Sequence, residues 1–287
     1  MIEGTGYTKE LLMNKGLNLR KSLGQNFLID QNISDKMVRL SDINSALNVL
    51  EIGPGAGALT SFLCKAANQV LAIELDNRLI PVLEDVLKEY NNFNIINGDV
   101  LKLDLKNIVK QFCSDKQWVV CANLPYNITT PVIIDLFESG AFTFITVMIQ
   151  REVARRIVAK PGTADYGAFT VFVNYYSEPE ILFDVPPDCF RPKPKVFSSV
   201  VKMKMREKSL LLPDDEKFFF KIVRSAFSQR RKTLVNALHS AFTDSFSKAE
   251  LTDIVIKSGF DSQIRGEMLS IDDFMTLSGS FPYKGVK

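Results

Sequence analysis

The sequence predicts an α/β protein, a parallel sheet with helices on both faces, followed by a small all-helical C-terminal region. Three observations predict it. From about residue 47, short apolar runs alternate with longer amphipathic ones, the pattern of strands joined by crossover helices. Four of the short runs close on Gly53, Glu74, Asp99 and Asn123, and ligands bind beyond the carboxyl ends of strands in such sheets. Beyond about residue 210 only helical periodicity remains.

In order, residues 47–52 read as a buried strand stopping at glycine, and 58–67 as the helix after it. Residues 69–74 form a second strand and 78–90 a second helix. Residues 94–97 are a third strand ending in Gly98-Asp99, and 118–122 a fourth ending at Asn123. A helix over 131–138 precedes a fifth strand at 144–149, and 171–176 and 196–203 read as further strands. Around residues 210–216 three leucines, a proline and three acids mark a linker and then a helix N-terminus, where acids suit the helix dipole. Phe219, Ile222, Val223, Ala226 and Phe227 share one apolar helix face, continued by Leu234, Val235 and Leu238. The expected domains are 1–210 and 211–287.

Composition narrows the function classes. The 287 residues are 46% hydrophobic, enough for a sizeable core, and no apolar stretch approaches a membrane span. The N-terminal region lacks an apolar signal core, so a cytoplasmic protein without membrane attachment is expected. Four cysteines (Cys64, Cys113, Cys121, Cys189) without CxxC spacing, and one histidine, His239, predict reduced thiols and no metal site. Net charge is only +2, yet Arg191, Lys193, Lys195, Lys202, Lys204, Arg206 and Lys208 crowd one stretch, and Arg230-Arg231-Lys232 another. Basic runs gathered in one half suit a polyanionic partner; each alone is equally a solvated surface.

Glu51-Ile52-Gly53-Pro54-Gly55-Ala56-Gly57 is a strand-ending glycine turn that can bring backbone N–H groups against a ligand. Its GxGxG spacing departs from the GxGxxG of dinucleotide sites. Glu74, 19 residues after Gly55, ends the next strand and can accept from both hydroxyls of a ribose. Asp99 suits the amine of an adenine, or caps a turn.

Asn123-Leu124-Pro125-Tyr126 is the sharper motif. The N6 lone pair of adenine is delocalised into the ring. Hydrogen bonds from the amine to the Asn123 side-chain oxygen and the Leu124 carbonyl favour a tetrahedral nitrogen. Pro125 has a fixed φ and no N–H, so it holds that carbonyl rigidly. Tyr126 offers a face on which a flipped base stacks. Together with the glycine turn this predicts methyl transfer from S-adenosylmethionine to adenine N6, with no general base required. Phe190, at the root of the basic Phe190-Arg191-Pro192-Lys193-Pro194-Lys195-Val196 segment, is either a second wall of the base pocket or a core residue. Residues 21–28 are either a lid over the cofactor or an ordinary helix cap.

Taken together the chain resembles the ribosomal RNA small-subunit adenine N6,N6-dimethyltransferases of the KsgA/RsmA type. The anchors are Gly24-Gln25-Asn26-Phe27-Leu28, the glycine turn, Ile73-Glu74-Leu75-Asp76, Gly98-Asp99, Asn123–Tyr126, Gln150-Arg151-Glu152-Val153, the 190–196 segment and Phe227-Ser228-Gln229-Arg230-Arg231-Lys232-Thr233. The resemblance implies a Rossmann-like methyltransferase domain with a helical C-terminal domain that contacts RNA. It implies transfer of four methyl groups to two adjacent adenosines near the 3′ end of small-subunit rRNA, within an assembling 30S particle; a monomer is the default expectation. Carried over by position, Asn26, Leu28, Gly53, Gly55, Glu74, Asp99 and Asn123 hold S-adenosylmethionine. The resemblance implies that Asn123, Leu124, Pro125, Tyr126 and Phe190 form the catalytic adenine pocket, and the basic runs make Arg191, Lys193, Lys195, Arg230, Arg231 and Lys232 the expected RNA contacts. The rivals are a large-subunit methylase of the erythromycin-resistance type, an assembly factor acting by binding, and an NAD-dependent oxidoreductase.

Overall fold

The structure is a computed structural model that describes residues 26–112, 115–207 and 209–282. Cys113, Lys208 and residues 21–25 of the expected lid lie outside the described residues. The chain divides into two compact units, one comprising the residues up to Ala154 with Glu180–Met205, the other Arg155–Pro179 with the residues from Arg206 onward. The boundary expected at 210 therefore moves. Residues 155–179 belong to the second unit because their apolar side chains enter its core: Tyr166, Val171 and Tyr175 are buried with Phe219, Ile222 and Leu238.

The first unit is built on a seven-stranded sheet with strands β2 (Leu47–Ile52), β3 (Gln69–Glu74), β4 (Phe93–Asn97), β5 (Gln117–Asn123), β6 (Phe144–Gln150), β7 (Ser177–Val185) and β9 (Ser198–Met205). Their order is β4-β3-β2-β5-β6-β9-β7. The pairs β2–β3, β2–β5, β3–β4 and β5–β6 are parallel, and β6–β9 is antiparallel. Central strands covered on both faces read as continuous apolar runs; Val70, Leu71, Val119, Val120 and Ile145 have no exposed surface. A separate two-stranded ribbon pairs β1 (Phe27–Leu28) with β8 (Phe190–Arg191), Leu28 opposite Phe190.

Helices α1 (Gln31–Leu40), α2 (Thr60–Ala66), α3 (Ile80–Val86), α4 (Leu105–Gln111) and α5 (Thr129–Ser139) connect the strands. Several starts are fixed by carboxylates. Asp30 accepts from Asn32 N at 3.0 Å to cap α1, and Asp104 from Asn107 N at 3.0 Å to cap α4. Gly140, in the left-handed conformation, ends α5.

Two elements depart from expectation. Residues 171–176, read as a strand, lie in the helix α7 (Ala168–Tyr176) that follows α6 (Arg151–Ile157). Its β-branched and aromatic run satisfies strand propensity, but Ala168, Val171, Phe172, Tyr175 and Tyr176 pack into the core of the second unit at helical spacing, and that decides in favour of the helix. The edge strand β7 was not foreseen; Pro179 breaks its alternation, and an edge is where a strand tolerates proline.

The second unit continues with α8 (Pro213–Ser228), α9 (Leu234–Ala241), α10 (Lys248–Lys257) and α11 (Ile271–Gly279). Ser247 with Glu250 and Ser270 with Asp273 form reciprocal caps on α10 and α11. Its core is aromatic: Tyr175, Phe219 and Phe220 meet ring to ring, as do Phe218, Phe242 and Phe281.

Candidate active site

One cavity lies at the carboxyl edge of the parallel strands. It is lined by the glycine turn after β2, the ends of β3 and β5, the Gly98–Leu101 turn after β4, residues 123–128, and Asn26 to Leu28. Asn26, Leu28, Gly53, Gly55, Glu74, Asp99, Asn123, Leu124, Pro125 and Tyr126 are all brought to it. Parallel register explains the convergence, since neighbouring strands then finish at one edge.

Gly53, Gly55 and Gly57 all have positive φ, at 67°, 60° and 83°. A Cβ on Gly55 would also come within 2.9 Å of the Phe27 ring, so β1 closes directly over the turn. Glu74 is 5% exposed, and its two carboxylate oxygens accept from Asp76 N at 2.8 Å and Gly55 N at 3.3 Å. These bonds orient the carboxylate towards the cavity and leave lone pairs for a ribose diol. Burial raises its pKa, and the two N–H donors oppose that rise. Asp99 both lines the cavity and caps a turn, accepting from Leu101 N at 3.2 Å and pairing with Lys102 at 3.6 Å. The two readings of Asp99 are compatible.

Asn123 donates from Nδ2 to the Asn26 carbonyl at 3.1 Å. That bond fixes the polarity of the amide: Oδ1 is the acceptor that remains, which is what an incoming amine requires. Leu124 N donates to Met148 O at 3.1 Å, tying the motif to β6. The Pro125 carbonyl accepts from Ile128 N and from the Thr129 hydroxyl, so the turn is pinned on its far side. A Cβ on Gly53 would lie 3.7 Å from the Pro125 ring, which places the glycine turn and the Asn123–Tyr126 motif side by side. The Tyr126 hydroxyl is 2.7 Å from Ser198 Oγ.

Phe190 is not brought to the cavity. It has no exposed surface and belongs to the core with Leu28, Met37, Val38, Val185 and Val200. Of its two readings, this burial supports the core one: the ribbon partner of Leu28 is an apolar anchor, and its large ring is better buried than wet. Arg191, Lys193 and Lys195 are exposed on the loop beyond it, with Lys193 held to Asp188 at 2.6 Å. In the second unit Arg230, Arg231 and Lys232 are all exposed, and Arg230 also donates to the carbonyls of Ala164 and Tyr166 and lies 3.6 Å from Glu267.

Glu51, at the head of the glycine turn, is a site residue to which the sequence alone assigns no role. It is 1% exposed, lines the cavity, and its Oε2 has no hydrogen-bond partner. Burial pushes its pKa up to about 8; the neighbouring Thr60 hydroxyl opposes the rise and the Glu74 charge adds to it. The sequence signal is an acid inside a largely apolar strand. Folding takes up a proton at such a group, so its stability contribution is lost as pH rises from about 4.5 through about 8. Glu51→Gln should flatten that fall, read as melting temperature against pH; an identical pH profile would mean Glu51 is already ionised in the folded chain.

The family model described as ribosomal RNA adenine dimethylase matches residues 16–277. The chain belongs to the ribosomal RNA adenine dimethylase family. It is 44% identical over 286 residues to the ribosomal RNA small subunit methyltransferase A of Halothermothrix orenii, covering 99% of this chain and 95% of that one. The protein of the same name from Streptococcus thermophilus is 45% identical over 282 residues, 97% of each chain. Among solved structures, a dimethyladenosine transferase from Plasmodium falciparum superposes with a TM-score of 0.73 at 27% identity, covering 88% of this chain and 95% of that one. The 23S rRNA methyltransferase ErmE shares the fold at a TM-score of 0.69 and 24% identity, covering 89% of this chain and 99% of that one. As a ribosomal RNA adenine dimethylase, the chain is an S-adenosylmethionine-dependent methyltransferase with a Rossmann-like sheet and a helical C-terminal region.

Proposed function

We propose that the chain dimethylates the N6 amines of two adjacent adenosines near the 3′ end of small-subunit rRNA, as a monomer in the cytoplasm acting on an assembling 30S particle. The observation that carries the reading is the Asn123 amide, whose nitrogen is committed to the Asn26 carbonyl and whose oxygen is the remaining acceptor beside the glycine turn. The relatives named for the small subunit, at 44% and 45% identity over nearly the whole chain, favour that target over the large subunit.

The cavity suits S-adenosylmethionine. It offers a glycine turn open to a ligand and an oriented carboxylate at Glu74, an acceptor for a hydroxyl-bearing molecule. When bound, that molecule supplies the methyl group. Glu74 would hold its ribose, Asp99 its adenine, and Asn26 and Leu28 its methionine end. Asn123 Oδ1 and the Leu124 carbonyl would accept from the target amine, turn its lone pair out of conjugation and aim it at the methyl. Tyr126 would stack the flipped base. Catalysis is then orientation, and the N6 proton leaves after transfer to whatever solvent base is at hand.

Glu74→Ala should weaken S-adenosylmethionine binding by about 1–3 kcal/mol, the cost of stranding buried donors. Calorimetric titration of the folded variant checks it; native affinity would remove Glu74 from the site. Arg231 and Lys232, replaced together by alanine, should weaken particle binding and flatten its salt dependence, since each phosphate contact contributes about one unit of slope. Arg230 is left out because its bonds lie inside the second unit. An unchanged slope would mean that these cations do not meet phosphate.

The test of the function is labelled S-adenosylmethionine incubated with unmodified small subunits and, separately, with large subunits, followed by mapping of the labelled base. Label on two adjacent small-subunit adenosines is expected. Label confined to the large subunit would favour the erythromycin-resistance type, and small-subunit maturation restored fully by a catalytically dead variant would favour an assembly role.

A further inference from the structure

Ser198 is the first residue of β9 and has no exposed surface. β9 runs antiparallel to β6, with Ser198 opposite Gln150, the last residue of β6. That reversal brings the start of β9 to the sheet edge where β5 and β6 finish, and where Asn123 closes β5. Successive strand residues face opposite sides of a sheet, and two consecutive serines show it. Ser199 turns to the Asp184 carboxylate on β7, while Ser198 turns to the Tyr126 hydroxyl at 2.7 Å. Ser199 thus ties two strands together. Ser198 ties a strand to an aromatic ring on the cavity wall.

A tyrosine whose hydroxyl is held at its far end cannot swing about its Cα–Cβ bond without breaking that contact. The ring is therefore set before anything enters the cavity. The Pro125 carbonyl fixes the near end of the same residue pair through its bonds to Ile128 and Thr129. We infer that Ser198 is a positioning residue for the target base, clamping the Tyr126 ring in the orientation on which the adenine stacks. The inference rests on the reading of Tyr126 as the wall of the adenine pocket. Preorganising the wall removes a cost that the incoming base would otherwise bear, and its loss slows the methyl-transfer step rather than weakening S-adenosylmethionine binding.

The experiment uses the full chain with unmodified small subunits at saturating S-adenosylmethionine. Single-turnover rates are measured for Ser198→Ala, Tyr126→Phe, the double variant and Tyr126→Ala, alongside calorimetric affinity for S-adenosylmethionine and melting temperatures. Ser198→Ala and Tyr126→Phe should each slow methylation roughly two- to tenfold, the range of one neutral hydrogen bond, at unchanged cofactor affinity. The double variant should be no slower than either single one, because both remove the same bond. Multiplicative losses in the double variant would overturn the proposal. A native rate for Ser198→Ala with a slowed Tyr126→Ala would overturn it while leaving Tyr126 in the pocket. A native rate for Tyr126→Ala would remove the pocket wall itself, and Ser198 with it. If Ser198→Ala melts early, Tyr126→Phe breaks the bond from the other end with Ser198 intact, and a native rate there overturns the proposal.

Discussion

Asn123→Ala should reduce methylation of small-subunit particles by roughly 10²–10³-fold, the scale of losing one preorganised polar group aimed at a reacting centre. S-adenosylmethionine binding should change far less, because Glu74, Asp99 and the glycine turn remain. Two consequences of the same bond separate this account from a general disturbance. Alanine removes both the acceptor for the amine and the donor to the Asn26 carbonyl. Asn123→Asp keeps an acceptor and loses only the donor, and its negative carboxylate then faces the Asn26 carbonyl oxygen. It should therefore also be slow. Single-turnover rates for both variants, with particle binding measured in parallel, check the expectation. An aspartate variant at the native rate would show that amide polarity is irrelevant.

Phe190→Ala should destabilise the first unit by about 3–5 kcal/mol, as expected for deleting a fully buried aromatic ring. The ring fills the core beneath the β1–β8 ribbon, opposite Leu28, and an alanine leaves its neighbours Met37, Val38 and Val200 without contacts on one side. Denaturant titration followed by the signal of Trp118, itself buried in the first unit, measures the loss. Activity of the folded fraction at low temperature completes the test. A variant of native stability that is inactive would return Phe190 to the base pocket.

Much of the site was legible because parallel strands finish together. Gly53, Glu74, Asp99 and Asn123 could be placed on one edge from strand–helix alternation alone, without knowing the order of the strands. Ser198 could not, because nothing in the 196–203 run says that its strand is antiparallel, and only that reversal brings its first residue to the same edge. Glu51 was visible as an acid in a largely apolar strand, but its missing partner is a property of packing. The helix at Ala168–Tyr176 was misread because its β-branched and aromatic residues are placed by burial in the second unit, not by local preference. The same burial carried residues 155–179 across the expected domain boundary. Arg230 looked like its two basic neighbours in sequence and differs from them only in the carbonyls it reaches.

Catalysis turns on the Asn123 amide meeting an adenine amine beside the cofactor. A crystal structure of the chain with S-adenosylhomocysteine and adenosine tests that directly. The adenine N6 is expected within hydrogen-bond distance, about 2.7–3.2 Å, of both Asn123 Oδ1 and the Leu124 carbonyl, with the base against the Tyr126 ring. An adenosine seated away from Asn123, or an Asn123 that turns Nδ2 towards N6 and abandons the Asn26 carbonyl, would contradict it.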